Sequence, residues 1–196
     1  MGRLSDKMIS KVLVDFLSEN IFPCFVETGT YKGETTLWAS NLFARVYTIE
    51  LNESYLVNAK VSLGHKNNIA YYLGDSRGQL PLVLDSIDSS CVLWLDAHSG
   101  GGFFSDKDDC PILEELSAIN KSGLNSLILI DDARGFMAPP PPPFDYRQWP
   151  NMYEVLDCAC DSGKRYPFVA DDVIAAVPVE LFDAFCKSFH KYKTKL

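Results

Sequence analysis

Five apolar runs in this sequence stop on an acidic residue or a glycine turn. One ends in Glu27-Thr28-Gly29-Thr30-Tyr31-Lys32-Gly33; the others end in Glu50, Asp75-Ser76, Asp96-Ala97-His98 and Asp131-Asp132. Any one of these residues can be a helix cap or a turn residue. Five of them at the same place in five runs point to a single acidic edge. The glycines are spaced G-x-x-x-G, whereas a dinucleotide fingerprint, G-x-G-x-x-G, needs its middle glycine to bring backbone amides against a pyrophosphate. That glycine is missing. A ligand with a nucleoside but no phosphate asks for less: close backbone approach, an acid on the ribose hydroxyls and a polar contact to the adenine amine. Glu50 and Asp75 are placed for those two contacts.

A second group is Asp96 and His98 with Asp131 and Asp132. Three carboxylates converging on one edge repel, so either some are protonated or a cation sits among them; carboxylates plus water suit a hard ion such as Mg²⁺. Such an ion would lower the pKa of a bound hydroxyl and fix it for attack, and His98 is the nearest candidate base. The alternative for His98 is a loop histidine bonded to a backbone carbonyl. Gly100–Gly102, Phe103, Phe104 and the proline-rich stretch Ala133–Pro150 can form a lid over an acceptor, or an ordinary surface loop.

These residues need a scaffold that brings the ends of distant runs together. Phe22–Glu27, Arg45–Leu51, Asn68–Gly74, Cys91–Asp96 and Ser126–Asp131 read as strands, several apolar throughout, as strands covered on both faces are. Between them Glu34–Phe43, Asn52–His65, Gln79–Ile87 and Cys110–Lys121 carry helix-period apolar positions and are long enough for parallel crossovers. Leu4–Asn20 predicts an opening amphipathic helix with Ser5 as N-cap. After the proline run come a short helix, Asn151–Cys160, and two strands, Tyr166–Ala170 and Val173–Val177, joined tightly enough to pair antiparallel. A helix, Glu180–Tyr192, ends the chain. The expected fold is doubly wound α/β: one domain over residues 1–196, with a mostly parallel seven-stranded sheet, an antiparallel last strand and helices on both faces. In such sheets ligands bind beyond the carboxyl ends of the strands, where the acids fall.

Composition narrows the partners. A net charge of −8 over 196 residues gives no broad electrostatic footprint for phosphate backbones, so nucleic acid is not an expected partner. The longest apolar runs fall far short of the ~20 residues of a membrane helix, and Met1–Lys7 lacks a signal-peptide core, so the expected setting is the cytoplasm, with no membrane partner. A homo-oligomer remains open. Six scattered cysteines read as reduced, buried thiols.

Glu27-x-Gly29-x-x-x-Gly33, Glu50 closing the second strand and Gly74-Asp75-Ser76 after the third resemble the cofactor motifs of class I S-adenosylmethionine-dependent methyltransferases, over roughly Phe22–Asp132. The resemblance implies S-adenosylmethionine as cofactor. Gly29 to Gly33, with Glu27, Thr30 and Tyr31, would wrap the methionine part; Glu50 would bind the ribose, and Asp75 with Ser76 the adenine. More locally, Trp94–Gly102 with Leu129–Ala133 resembles the metal-dependent O-methyltransferases of the macrocin O-methyltransferase type, which act on sugar hydroxyls. That likeness implies Asp96, Asp131 and Asp132 as metal ligands, with Asp96 alternatively on the cofactor's amino group. The reading that follows is metal-assisted methyl transfer to a hydroxyl of a small polar acceptor. The alternative is a non-catalytic or regulatory binding protein on the same fold, docking partners through its proline run.

Overall fold

Strands buried on both faces cannot alternate in polarity, and β1 (Cys24–Thr28), β4 (Cys91–Leu95) and β5 (Ser126–Ile130) are buried at every position. The computed structural model describes residues 3–98 and 109–193. In chain order the remaining elements are α1 (Met8–Leu17), α2 (Glu34–Ser40), β2 (Arg45–Glu50), α3 (Glu53–Leu63), β3 (Ile69–Leu73), α4 (Ser76–Asp85), α5 (Ile112–Ser122), α6 (Arg134–Met137), α7 (Met152–Cys160), β6 (Arg165–Ala170), β7 (Val173–Pro178) and α8 (Phe182–Lys193). The sheet order is β3-β2-β1-β4-β5-β7-β6. The first five strands run parallel, and β7 pairs antiparallel with both β5 and β6. This is the doubly wound, seven-stranded sheet expected from the sequence.

Alternate side chains of each strand feed two cores. Val26, Ile49, Leu93 and Ile130 pack with Leu80 of α4, Leu116 of α5 and Val155 of α7. Phe25, Trp94 and Leu129 pack on the other face with Leu13 of α1, Ala39 of α2 and Phe185 of α8. The order reverses about β1 and β4, the switch point beyond whose strand ends sheets of this kind bind ligands.

Three local expectations change. Ser5 does not cap the first helix: Leu4–Asp6 form a separate 3-10 turn, and the backbone N–H of Met8, at the start of α1, donates instead to the Asp171 carboxylate in the β6–β7 turn. The fourth helix begins at Ser76 rather than Gln79, because Asp75 caps it by accepting from Arg77 N at 3.0 Å, and Pro81 is accommodated within it. The proline-rich stretch is not all loop; it contains α6 and a 3-10 turn at Tyr146–Gln148, and Asp109 pins it by donating its N–H to Gln148 and accepting from Asp145 N. All six cysteines are free. Among the described residues no helix is long and apolar enough to cross a membrane.

The antiparallel hairpin is tied down by a buried cation. Arg165 is 5% exposed and donates to Ser126 O, Ser126 Oγ, Asn120 Oδ1 and Ala159 O at 3.0–3.2 Å, linking β6 to β5, α5 and α7. Truncation leaves two buried carbonyls without this donor, so Arg165→Ala should lower stability by about 3 kcal/mol in urea denaturation. A loss below about 0.5 kcal/mol, the scale of ordinary surface substitutions, would contradict this role.

Candidate active site at the carboxyl edge of the sheet

The first turn is shaped by contact with the neighbouring strands. Gly29 has φ +88°, donates its N–H to Ile49 O at 2.9 Å, and passes so close to the end of β4 that a Cβ would lie 2.2 Å from the Asp96 carbonyl oxygen. Backbone cannot yield there, so the position requires glycine whatever binds above it. Gly33, φ +76°, ends the turn on the left-handed N-cap of α2.

Glu50 closes β2 against this turn. One carboxylate oxygen accepts from Tyr31 N and the other from Asn52 N, both at 2.8 Å. A carboxylate has about four lone-pair sites, so capacity remains for ligand hydroxyls. The next strand end is engaged within the chain: Asp75 receives both Nε and Nη2 of Arg77 at 2.9 Å as well as capping α4. Its oxygens already carry a two-point guanidinium contact. Ser76 beside it is 6% exposed.

Glu27 is held by two threonine hydroxyls. It is 1% exposed and accepts from Thr36 Oγ1 and Thr48 Oγ1, while Thr48 Oγ1 lies 2.6 Å from Thr30 Oγ1. Burial pushes its carboxyl up to about 7, against the pull of those two hydroxyls. Glu27 and Thr30 thus form a buried brace between β1, β2 and α2, with Tyr31, stacked edge-on against Tyr55 at 5.0 Å, at the turn's outer side.

Asp96, His98, Asp131 and Asp132 do come together. His98 Nε2 lies 3.1 Å from Asp132 Oδ2 and 3.7 Å from Asp96 Oδ1. The bond from His98 holds Asp132 at about 2, helped by Arg134 Nη2 at 2.8 Å. Burial alone would lower His98, but the Asp132 hydrogen bond and the neighbouring acids raise it overall. Asp96 sits well above the ordinary carboxylate range because it is buried among other acids, His98 pulling the other way. Asp131 is also raised, chiefly by burial, although Lys7 Nζ is bonded directly to its Oδ1.

The donor set does not fit a divalent ion. Asp131 is engaged by an ammonium and Asp132 by an imidazole and a guanidinium, and among the described residues no group of three or more His, Cys, Asp or Glu side chains is arranged to hold a metal. Of the three acids, Asp131 and Asp132 each have a cationic partner from within the chain.

Three participants escaped the sequence reading. Lys7 is one. Glu115 of α5 is another: 1% exposed, it faces the Ser76 and Thr28 hydroxyls, and burial pushes it up to about 7. It falls on the same helix face as Ile112, Leu116 and Ile119, so an acid in an apolar stripe was the available signal. Trp149 is the third. Its ring packs against His98 at 5.2 Å, Phe136 at 5.6 Å and Phe144 at 5.8 Å, and a Cβ on Gly135 would lie 2.8 Å from it. The other half of the expected lid, Gly100–Gly102 with Phe103 and Phe104, lies outside the described residues.

No known family's sequence profile matches this chain, and no curated protein does. Solved structures do. The O-methyltransferase from Bacillus cereus in complex with S-adenosylhomocysteine superposes with a TM-score of 0.61 over 90% of this chain and 82% of that one, at 14% identity. The S-adenosylhomocysteine-bound methyltransferase PaMTH1 of Podospora anserina gives 0.57 over 86% and 76%, at 15% identity. The fold is that of S-adenosylmethionine-dependent methyltransferases. An rRNA methylase from Streptococcus thermophilus also shares it, with a TM-score of 0.51 over 85% of this chain and 93% of that one at 14% identity, so the fold does not name the acceptor.

Glu115 makes the site's electrostatics measurable. Between an ordinary glutamate's 4.5 and about 7, the folded chain keeps a proton on Glu115 that the unfolded chain has lost. Stability therefore falls as pH rises through that window, by up to about 3 kcal/mol for this group. Glu27 adds a slope of the same sign. Glu115→Gln has no proton to lose, so in urea denaturation at pH 5, 6, 7 and 8 its stability should fall less steeply than the wild type's. Parallel curves would contradict the assignment.

Proposed function

We propose that this chain transfers a methyl group from S-adenosylmethionine to a hydroxyl of a small polar acceptor. The observation that carries the reading is the junction of the Gly29–Gly33 turn with Glu50 on one side and the His98–Asp132 pair on the other, on a methyltransferase fold. When bound, S-adenosylmethionine supplies an electrophilic sulfonium methyl. Glu50, fixed by two backbone donors, keeps lone pairs for a pair of ribose hydroxyls. The Gly29–Gly33 turn beside Glu50 would carry the rest of the cofactor, while the Ser76 hydroxyl beyond β3 is turned toward Glu115.

Acceptor activation falls to His98. A neutral hydroxyl is a weak nucleophile, and a base that takes its proton during attack relieves that weakness. Asp132, held ionised, orients the imidazole and stabilises the imidazolium once the proton arrives. A base acts only when unprotonated, so the rate should fall as pH drops through the His98 pKa, which lies above its ordinary value. The reading routes no step through a metal, because Asp131 and Asp132 already have cationic partners. Solubility in the cytoplasm, a small-molecule acceptor and the absence of nucleic-acid and membrane partners belong to the same proposal.

The exposure of Pro139 and of Pro141 to Pro143 favours one second reading, a binding protein that docks partners through this run. It predicts ligand binding without turnover. Calorimetry with S-adenosylhomocysteine tests the first reading: one site per chain, weakened in Glu50→Ala by about 1–3 kcal/mol, roughly 5- to 150-fold. No binding to the wild type, or equal affinity in the variant, would overturn the cofactor assignment.

A further inference from the structure

Lys7 reaches the strand ends from outside the sheet, and three contacts fix its approach. Leu4, fully buried, donates its N–H to Thr35 Oγ1 at 3.3 Å; Arg3 pairs with Glu34 at the start of α2; and Met8 N is held by Asp171. Lys7 lies between them in extended conformation as the N-cap of α1, with its side chain 11% exposed. Its ammonium bonds Asp131 Oδ1 and stands 5.9 Å from the centroid of the Trp94 ring, a cation–π arrangement inside the protein.

Its surroundings call for a cation independently of Lys7. The Asp131 side chain is fully buried and its Oδ2 has no hydrogen-bond partner; Oδ1 of Asp96, a residue 8% exposed, has no hydrogen bond either, its nearest cationic group being His98 Nε2 at 3.7 Å. Asp131 and Asp96 follow neighbouring residues of adjacent strands, Ile130 and Leu95, and Asp131 N donates to Leu95 O at 3.1 Å. Buried acids this close need positive charge or protons. A divalent ion is the usual alternative, since Mg²⁺ or Mn²⁺ binds through one or two carboxylates and completes its shell with water.

We infer that Lys7 is a built-in counter-ion that occupies the cation position of the Asp96–Asp131 pair and so closes this site to divalent metals. Lys7 is a positioning residue: it acts through Asp131 and touches neither the cofactor turn nor His98 in any contact described above. The inference holds whether or not the chain transfers methyl groups, because it concerns the charge balance of the strand ends.

The test uses Mn²⁺ alone, followed by electron paramagnetic resonance of the free ion, with the full chain as wild type, Lys7→Met, Lys7→Arg and Lys7→Met/Asp131→Asn. The wild type should leave the free-ion signal undiminished at micromolar Mn²⁺. Lys7→Met should bind Mn²⁺ at least tenfold more tightly than the wild type, Lys7→Arg should restore the wild-type behaviour, and the double variant should lose the gained site. One Mn²⁺ bound per wild-type chain at low micromolar concentration would overturn the inference, and that arm stands even if Lys7→Met fails to fold. A folded Lys7→Met with unchanged Mn²⁺ affinity would overturn it too, and would leave Lys7 a staple between α1 and the sheet. Binding of S-adenosylhomocysteine, measured on the same samples, reports separately on the cofactor reading.

Discussion

Burying carboxylates is the constraint around which this molecule is built. Glu27, Asp96, Glu115 and Asp131 are each less than 10% exposed at or beneath one edge of the sheet, where an unbalanced negative charge costs several kcal/mol. The chain meets that cost in different ways. Hydroxyls from Thr36 and Thr48 support Glu27, Ser76 and Thr28 face Glu115, an ammonium holds Asp131, and His98 stands near Asp96. Elements far apart in sequence are drawn to one place by this requirement: α1 delivers the lysine, α5 the second glutamate, and the β6–β7 turn the aspartate that receives the start of α1.

The same balance gives the site its chemical character. Acids partnered from within leave a polar edge in which the His98 imidazole is tied to an ionised Asp132. Protein dipoles and charges fixed in this way need no rearrangement as a proton moves. The glycine turn contributes in another sense. Gly29 runs against the Asp96 carbonyl, so the turn is packed directly on the strand end that carries the acid cluster.

The sheet was legible because its central strands are apolar at every position, and helix-period segments of sufficient length separate them. The acids were legible because each one ends such a run. Their partners were not. Lys7 lies in an amphipathic segment where a lysine looks like solvated surface, and it is the docking of Leu4 and Arg3 on α2 and of Met8 on Asp171 that turns it inward. Glu115 stands in the apolar stripe of α5, a signal that names no partner; the fold supplies one in Ser76 at the start of α4. Asp75 was given a ligand's place without its neighbour Arg77, two residues on, being counted as a competitor. The expected metal came from the premise that three close acids need either protons or a cation, and the long-range Lys7–Asp131 pair is invisible to a linear reading. Ser5 failed as a cap for a related reason: the N–H of Met8 donates to the Asp171 carboxylate, 163 residues further along the chain.

The central claim is that a nucleoside cofactor lies across the first turn and the ends of β2 and β3. Nuclear magnetic resonance of the ¹⁵N-glycine-labelled chain titrated with S-adenosylhomocysteine tests it most directly. Gly29, Gly33 and Gly74 lie at these strand ends, whereas Gly123 ends α5 and Gly163 lies before β6. The account predicts saturable shifts in the first three amide signals and none in the other two. Shifts absent from all three, or confined to Gly123 and Gly163, would contradict it.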